Sequence, residues 1–148
     1  MFNFFNKKKE DPIREHLGGF QDNFTKEQKA AILGSLVILS KSDGQVHPKE
    51  MQNIEQTGRL LGIELDDPVF ARVASGGKNE ITRILNTLDR SQKEWYIITL
   101  HSMVAADGKV EEIEISYALG FADDIGISED EYVQIIQKAE LLMKKFMG

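Results

Sequence analysis

Cysteine is absent from the 148 residues, which excludes a disulfide framework, a thiolate zinc site and a cysteine nucleophile, and suits a reducing compartment. Long apolar runs are absent too. Even Ala30 to Leu39 is interrupted by Gly34 and Ser35, well short of the roughly 20 residues that cross a bilayer. The opening Met1-Phe-Asn-Phe-Phe-Asn-Lys-Lys-Lys9 sets its apolar residues before the charges, the reverse of a secretory leader. A soluble, cytoplasmic chain is therefore expected. Basic clusters are scarce: the net charge is -6, and Lys7-Lys8-Lys9 is the one run. Nucleic-acid binding, which draws its affinity from clustered Lys and Arg, is not expected. Beside Phe2, Phe4 and Phe5 that run supports at most a weak, reversible contact with an anionic membrane surface, the alternative being a frayed or back-folded terminus.

Strand signals are also missing, since no segment alternates apolar and polar residues between turn residues for long enough. His16, His47 and His101 are far apart, and none stands in a His-Glu-x-x-His arrangement. No Gly-x-Ser-x-Gly elbow and no phosphate-cradling loop occurs; Gly18-Gly19 and Gly76-Gly77 are isolated pairs. Nothing here supports an enzyme.

What is present is a repeat. A shift of 64 residues lays Thr25–Phe70 on Asp89–Gln134 without a gap, with eleven identities in 46 positions where average composition gives roughly three. Gln28-Lys29 meets Gln92-Lys93, Leu36 meets Leu100, Asp43-Gly44 meets Asp107-Gly108, Val46 meets Val110, Glu50 meets Glu114, and Gly62-Ile63 meets Gly126-Ile127. In the first copy Thr25 and Gln28 have the form of a capping box, opening a helix from about Lys26 to Ser42. Its apolar residues cover most of the circumference, as in an enclosed helix. Asp43-Gly44 breaks it, Pro48 opens the next helix, and Gly62 stops that one near Leu61. In the second copy Ser91 and Glu94 supply the expected box for a helix reaching Ala106. A further helix spans about Glu111 to Ile125, and Ser128 with Glu131 opens a last one.

Between the copies Asp67-Pro68 starts a short helix ended by Gly76-Gly77, and Ile81, Ile84, Leu85 and Leu88 mark another after Asn79. Asp11-Pro12 opens a turn or two ending at Gly18-Gly19. The expectation is an all-α fold of about seven helices, a pseudo-two-fold duplication of a helix-loop-helix unit. Residues 1–23 form a partly ordered N-terminal segment and 24–148 a single domain, with repeats at about 25–70 and 89–134.

The twin loops Asp43-Gly44-Gln45-Val46-(3)-Glu50 and Asp107-Gly108-Lys109-Val110-(3)-Glu114 resemble the second half of a calcium loop. The first half fails: Leu39 and Lys41, or Met103 and Ala105, stand where the earlier ligands belong, so neither loop is an EF-hand. A structural account is available, with Asp-Gly making the turn, the valine stapling the next helix, and Glu50 or Glu114 capping it at the positive end of the dipole. A functional account follows if a two-fold axis brings the loops together, so that Asp43, Glu50, Asp107 and Glu114 pool into one oxygen-rich site for calcium, magnesium or manganese. Charge favours the second copy, which holds nine carboxylates and one lysine between Asp107 and Glu131, against six carboxylates, Lys49 and Arg59 between Asp43 and Asp67. An acidic face is also what a merely solvated surface looks like. His101, Trp95 and Tyr96 read as packing residues.

At these loops the chain resembles the TerB-like proteins of the tellurite-resistance group, which include the N-terminal region of the DjlA-type co-chaperones. The resemblance covers about Phe24 to Ile136. It rests on Ser42 to Glu50 and Ala106 to Glu114, each following an enclosed helix, and on Leu61-Gly62-Ile63 and Ile125-Gly126-Ile127. It implies a cytoplasmic helical fold with internal symmetry, attachment to membrane-associated stress systems, and metal binding through Asp43, Glu50, Asp107 and Glu114. His47-Pro48 replace the family's more usual acidic or small pair, which weakens the first loop as a cation site. The expected function is a non-enzymatic binding module with a divalent cation or a protein partner. The alternative is a helical adaptor without metal, binding through its N-terminal segment or its last helix, Glu129 to Met147.

Overall fold

The structure, a computed structural model, describes residues 24–42, 44, 48–105 and 112–147. Among these it is all-α, with seven helices: α1 (Lys26–Ser40), α2 (Pro48–Leu61), α3 (Pro68–Ser75), α4 (Gly77–Leu85), α5 (Arg90–Val104), α6 (Glu112–Asp124) and α7 (Glu129–Met147). The expected turn between Asp11 and Gly19 lies outside the described residues.

α1 is the pivot. Every residue from Ala30 to Leu36 is buried, including Gly34 and Ser35, so the helix has no solvent face over two turns. It is therefore surrounded, with α2, α3, α4, α5 and α6 all packing on it. α5 is the other enclosed helix, burying Trp95, Tyr96, Ile97, Leu100, Met103 and Val104, and it contacts α1, α2, α6 and α7. One apolar cluster runs through all seven helices. α2 and α6, which follow the enclosed helices in sequence, each pack on both of them.

The helix starts follow from local chemistry. Thr25 caps α1 in the expected box: its Oγ1 accepts from the Gln28 amide at 3.1 Å, and Gln28 Oε1 accepts from the Thr25 amide at 2.9 Å. Gln28 also reaches out of its own helix, its Nε2 donating to Thr87 Oγ1 at 2.9 Å just ahead of α5. Pro48 is the first residue of α2, and Asp67 accepts from the Val69 amide at 2.8 Å to start α3. Ser128 and Glu131 make the reciprocal pair that opens α7.

Two expectations are corrected. α5 is capped by Asp89 with Gln92, bonded at 2.8 and 2.9 Å, and Ser91 lies inside the helix while Glu94 pairs with Arg90. Asp89 is the residue that the 64-residue shift lays on Thr25, and an aspartate is at least as good a cap as serine. α4 begins at Gly77 (φ +72°), ahead of the expected start after Asn79, because Gly76 serves both as the C-cap of α3 and as the N-cap of α4.

The ends of α2 and α6 are alike. Gly62 and Gly126 adopt φ +79° and +82°, and beyond them the amides of Ile63 and Ile127 reach back to Gly58 O and Ala122 O, both at 2.9 Å. Ile63 and Ile127 are themselves buried. Lys93 Nζ donates to Ile125 O at 3.0 Å, placing a cation on the negative end of α6. Arg90 bridges Glu94 and Glu131, each at 3.0 Å, and so ties the start of α7 to that of α5.

Candidate functional site

α2 and α6 each follow an enclosed helix in the sequence, and each carries a glutamate in its first turn. Glu50 is the third residue of α2 and Glu114 the third of α6. Both are buried, at 2% and 1% exposure. Carboxylates are almost never this deeply buried unless they are engaged, and both of these are engaged within the fold. The positive ends of α2 and α6 favour negative charge at those positions.

Asp43 and Asp107, the other two members of the expected set, lie outside the described residues. Among the described residues no three His, Asp or Glu side chains form a group that would hold a metal. A cation at these loops therefore depends on Asp43 and Asp107 beside the two buried glutamates.

α2 holds something the loop signatures do not show. Asn53 and Thr57 follow Glu50 at the third and seventh positions along the same buried face, and each is 1% exposed. Both amide atoms of Asn53 and the hydroxyl of Thr57 lack a hydrogen-bond partner among the described residues. A buried polar group in that state costs about 1–3 kcal/mol, so such groups are rare in native proteins. At the 64-residue offset α6 carries Tyr117 and Phe121 instead; Tyr117 is 39% exposed and Phe121 is buried. The two helices thus share a buried first-turn glutamate but differ one turn later. The donors on α2 are oxygens, a carboxylate and a carboxamide, which suit a hard cation such as calcium, magnesium or manganese. The sequence signal for Asn53 was its place three residues after Glu50.

The remaining candidates fall to packing. Tyr96 is wholly buried and donates to Ser35 Oγ at 2.8 Å, while Ser35 donates to Ile32 O at 2.7 Å. Burial pushes the Tyr96 hydroxyl far above its ordinary range. Trp95 is buried against Phe24, with ring centroids 5.4 Å apart. His101 is half-buried on α5, its Nδ1 lying 2.9 Å from the Tyr132 hydroxyl of α7. Desolvation lowers the His101 pKa, opposed by the charge of Glu140. His16 and His47 lie outside the described residues. No described helix is long and apolar enough to cross a membrane.

No curated protein and no solved structure matches the chain. Residues 2–73 match the family model of tellurite resistance protein TerB, a stretch that takes in Asp43, Glu50 and Asn53 and ends ahead of Asp107 and Glu114. Over that stretch the chain is similar to the TerB family, and its described residues are all-helical.

Proposed function

We propose that this TerB-like chain is a non-enzymatic, cytoplasmic binding module that holds a divalent cation at its paired Asp-Gly loops, through Asp43, Glu50, Asp107 and Glu114, within a stress response of the tellurite-resistance kind. The observation that carries this is the matched burial of Glu50 and Glu114 at the start of α2 and α6. A glutamate that only caps a helix does its work at the surface; two placed inside the fold, each seven residues after the aspartate of an Asp-Gly pair in the sequence, suit a role in gathering charge. Calcium, magnesium and manganese fit the all-oxygen donors better than zinc does.

The test is thermal unfolding of the full chain with each of calcium, magnesium, manganese and zinc. Stabilisation is expected with an oxygen-seeking cation and is expected to vanish in the Asp107→Ala/Glu114→Ala double variant. No stabilisation by any of the four would defeat the cation reading.

The adaptor reading has its own support in α7, where Leu141 is 67% exposed and Val133 45%. Large apolar side chains left in water on a terminal helix suit a protein partner. It predicts a partner whose binding survives the loop substitutions and is lost when α7 is trimmed.

A further inference from the structure

We infer that the outward face of α7 is the surface through which two copies of this chain pair antiparallel, as a weak homodimer. This rests on the adaptor reading given above and names its partner as a second copy. At 3.6 residues per turn, Asp130, Val133, Gln137, Leu141 and Lys144 fall within about 40° of one line along the helix, a row about 21 Å long. All five are exposed, Leu141 by 67% and Val133 by 45%. Tyr132, Ile135, Ala139 and Met143, which α7 buries, lie on the opposite side.

The row reads acid, apolar, amide, apolar, base, with Gln137 at its midpoint, so it complements itself when turned end for end. In an antiparallel pair centred on Gln137, Asp130 of each copy comes level with Lys144 of the other, and Val133 with Leu141. Glu129 and Lys145 repeat the match beside them. The two Gln137 carboxamides meet at the two-fold axis, where each has both a donor and an acceptor for the other. A parallel pair would instead set aspartate on aspartate and lysine on lysine. Neither Asp130 nor Lys144 belongs to an ion pair among the described residues. An anionic membrane would meet repulsion at the Asp130 end, and a partner of one charge sign would match one end only. Four apolar side chains over so short a contact bury less than the roughly 1,200 Å² of a standard interface, so the association is weak and salt-sensitive.

Sedimentation equilibrium of the full chain at low salt, from about 10 μM to about 1 mM, tests this. The weight-average mass is expected to rise with concentration from one chain toward two. Leu141→Glu changes a side chain that is mostly in water, so the fold is kept, and it is expected to weaken association by about tenfold or more. Asp130→Lys and Lys144→Asp, each alone, set like charges level with one another and are expected to weaken it as well, whereas the chain carrying both restores it. If the two charge changes acted only on the stability of α7, through its dipole, their effects would add in the double variant. A chain that stays monomeric throughout overturns the inference and leaves the adaptor reading to its own trimming test. A dimer that Leu141→Glu leaves unchanged, or that the double charge variant fails to restore, also overturns it.

Discussion

Tyr96 and Ser35 join the two enclosed helices through one buried hydrogen bond, and the two ends of that bond are not equivalent. Tyr96→Phe removes the donor and leaves Ser35 still bonded to Ile32 O, a loss of about 1 kcal/mol. Ser35→Ala strands the Tyr96 hydroxyl inside the core, with a cost of about 1–3 kcal/mol. Urea unfolding should therefore rank Ser35→Ala as the more damaging; the reverse order would contradict the bond. His101 yields a pH prediction at the same scale. Burial lowers its pKa below the usual 6.5, so the unfolded chain takes up the proton more readily than the folded one. The stability it contributes is present above about pH 6.5 and is lost as pH falls below that value. Asp67 and Glu131 do not confuse this window. Lys26 lowers the pKa of Asp67, and the Ser128 amide, then Arg90, that of Glu131, so their contributions fade only at lower pH, beneath the ordinary carboxylate range. Replacing His101 with Gln should flatten the stability profile just below about pH 6.5; an unaltered slope in urea titrations would remove His101 as its source.

Helix starts and stops carry most of what the sequence made legible, because they depend on a few neighbouring atoms. Thr25 with Gln28, Pro48, Asp67, Gly62, Gly126 and Ser128 with Glu131 all act as their residue types dictate. The start of α5 was misplaced because Ser91-x-x-Glu94 has the same form as Asp89-x-x-Gln92 two residues earlier. Local chemistry alone does not rank the two, whereas burial of Leu88 fixes the chain just before Asp89. The distinction is measurable: Asp89→Ala should cost about 1 kcal/mol, whereas Ser91→Ala, at an exposed helical position where alanine is the better helix former, should cost nothing. Equal losses in chemical denaturation would contradict the assignment. At the other end, a Cβ on Gly126 meets nothing within 4 Å, so Gly126→Ala carries only the backbone penalty of φ +82°, about 1–2 kcal/mol. The candidate site was legible in part for a related reason. Glu50 and Glu114 stand out through their shared offset, but the burial of Asn53 depends on how α2 seats on α1 and α5, a tertiary fact that the matching exposed Tyr117 shows no offset predicts.

For the whole molecule, the enclosed pair α1 and α5 explains why α2 and α6 matter. Each lies across both central helices, so the first turns of α2 and α6, with Glu50 and Glu114, are set by the same core. Truncating that core, for instance Leu36→Ala, should cost about 2–5 kcal/mol and loosen both acidic corners together. Whether those corners act as one site is a question of number. Isothermal titration of the full chain with calcium or manganese counts the ions directly. One ion per chain, abolished by Asp43→Ala and by Asp107→Ala separately, is the predicted result. Two independent ions, or none, would contradict a single cation site pooled from both loops.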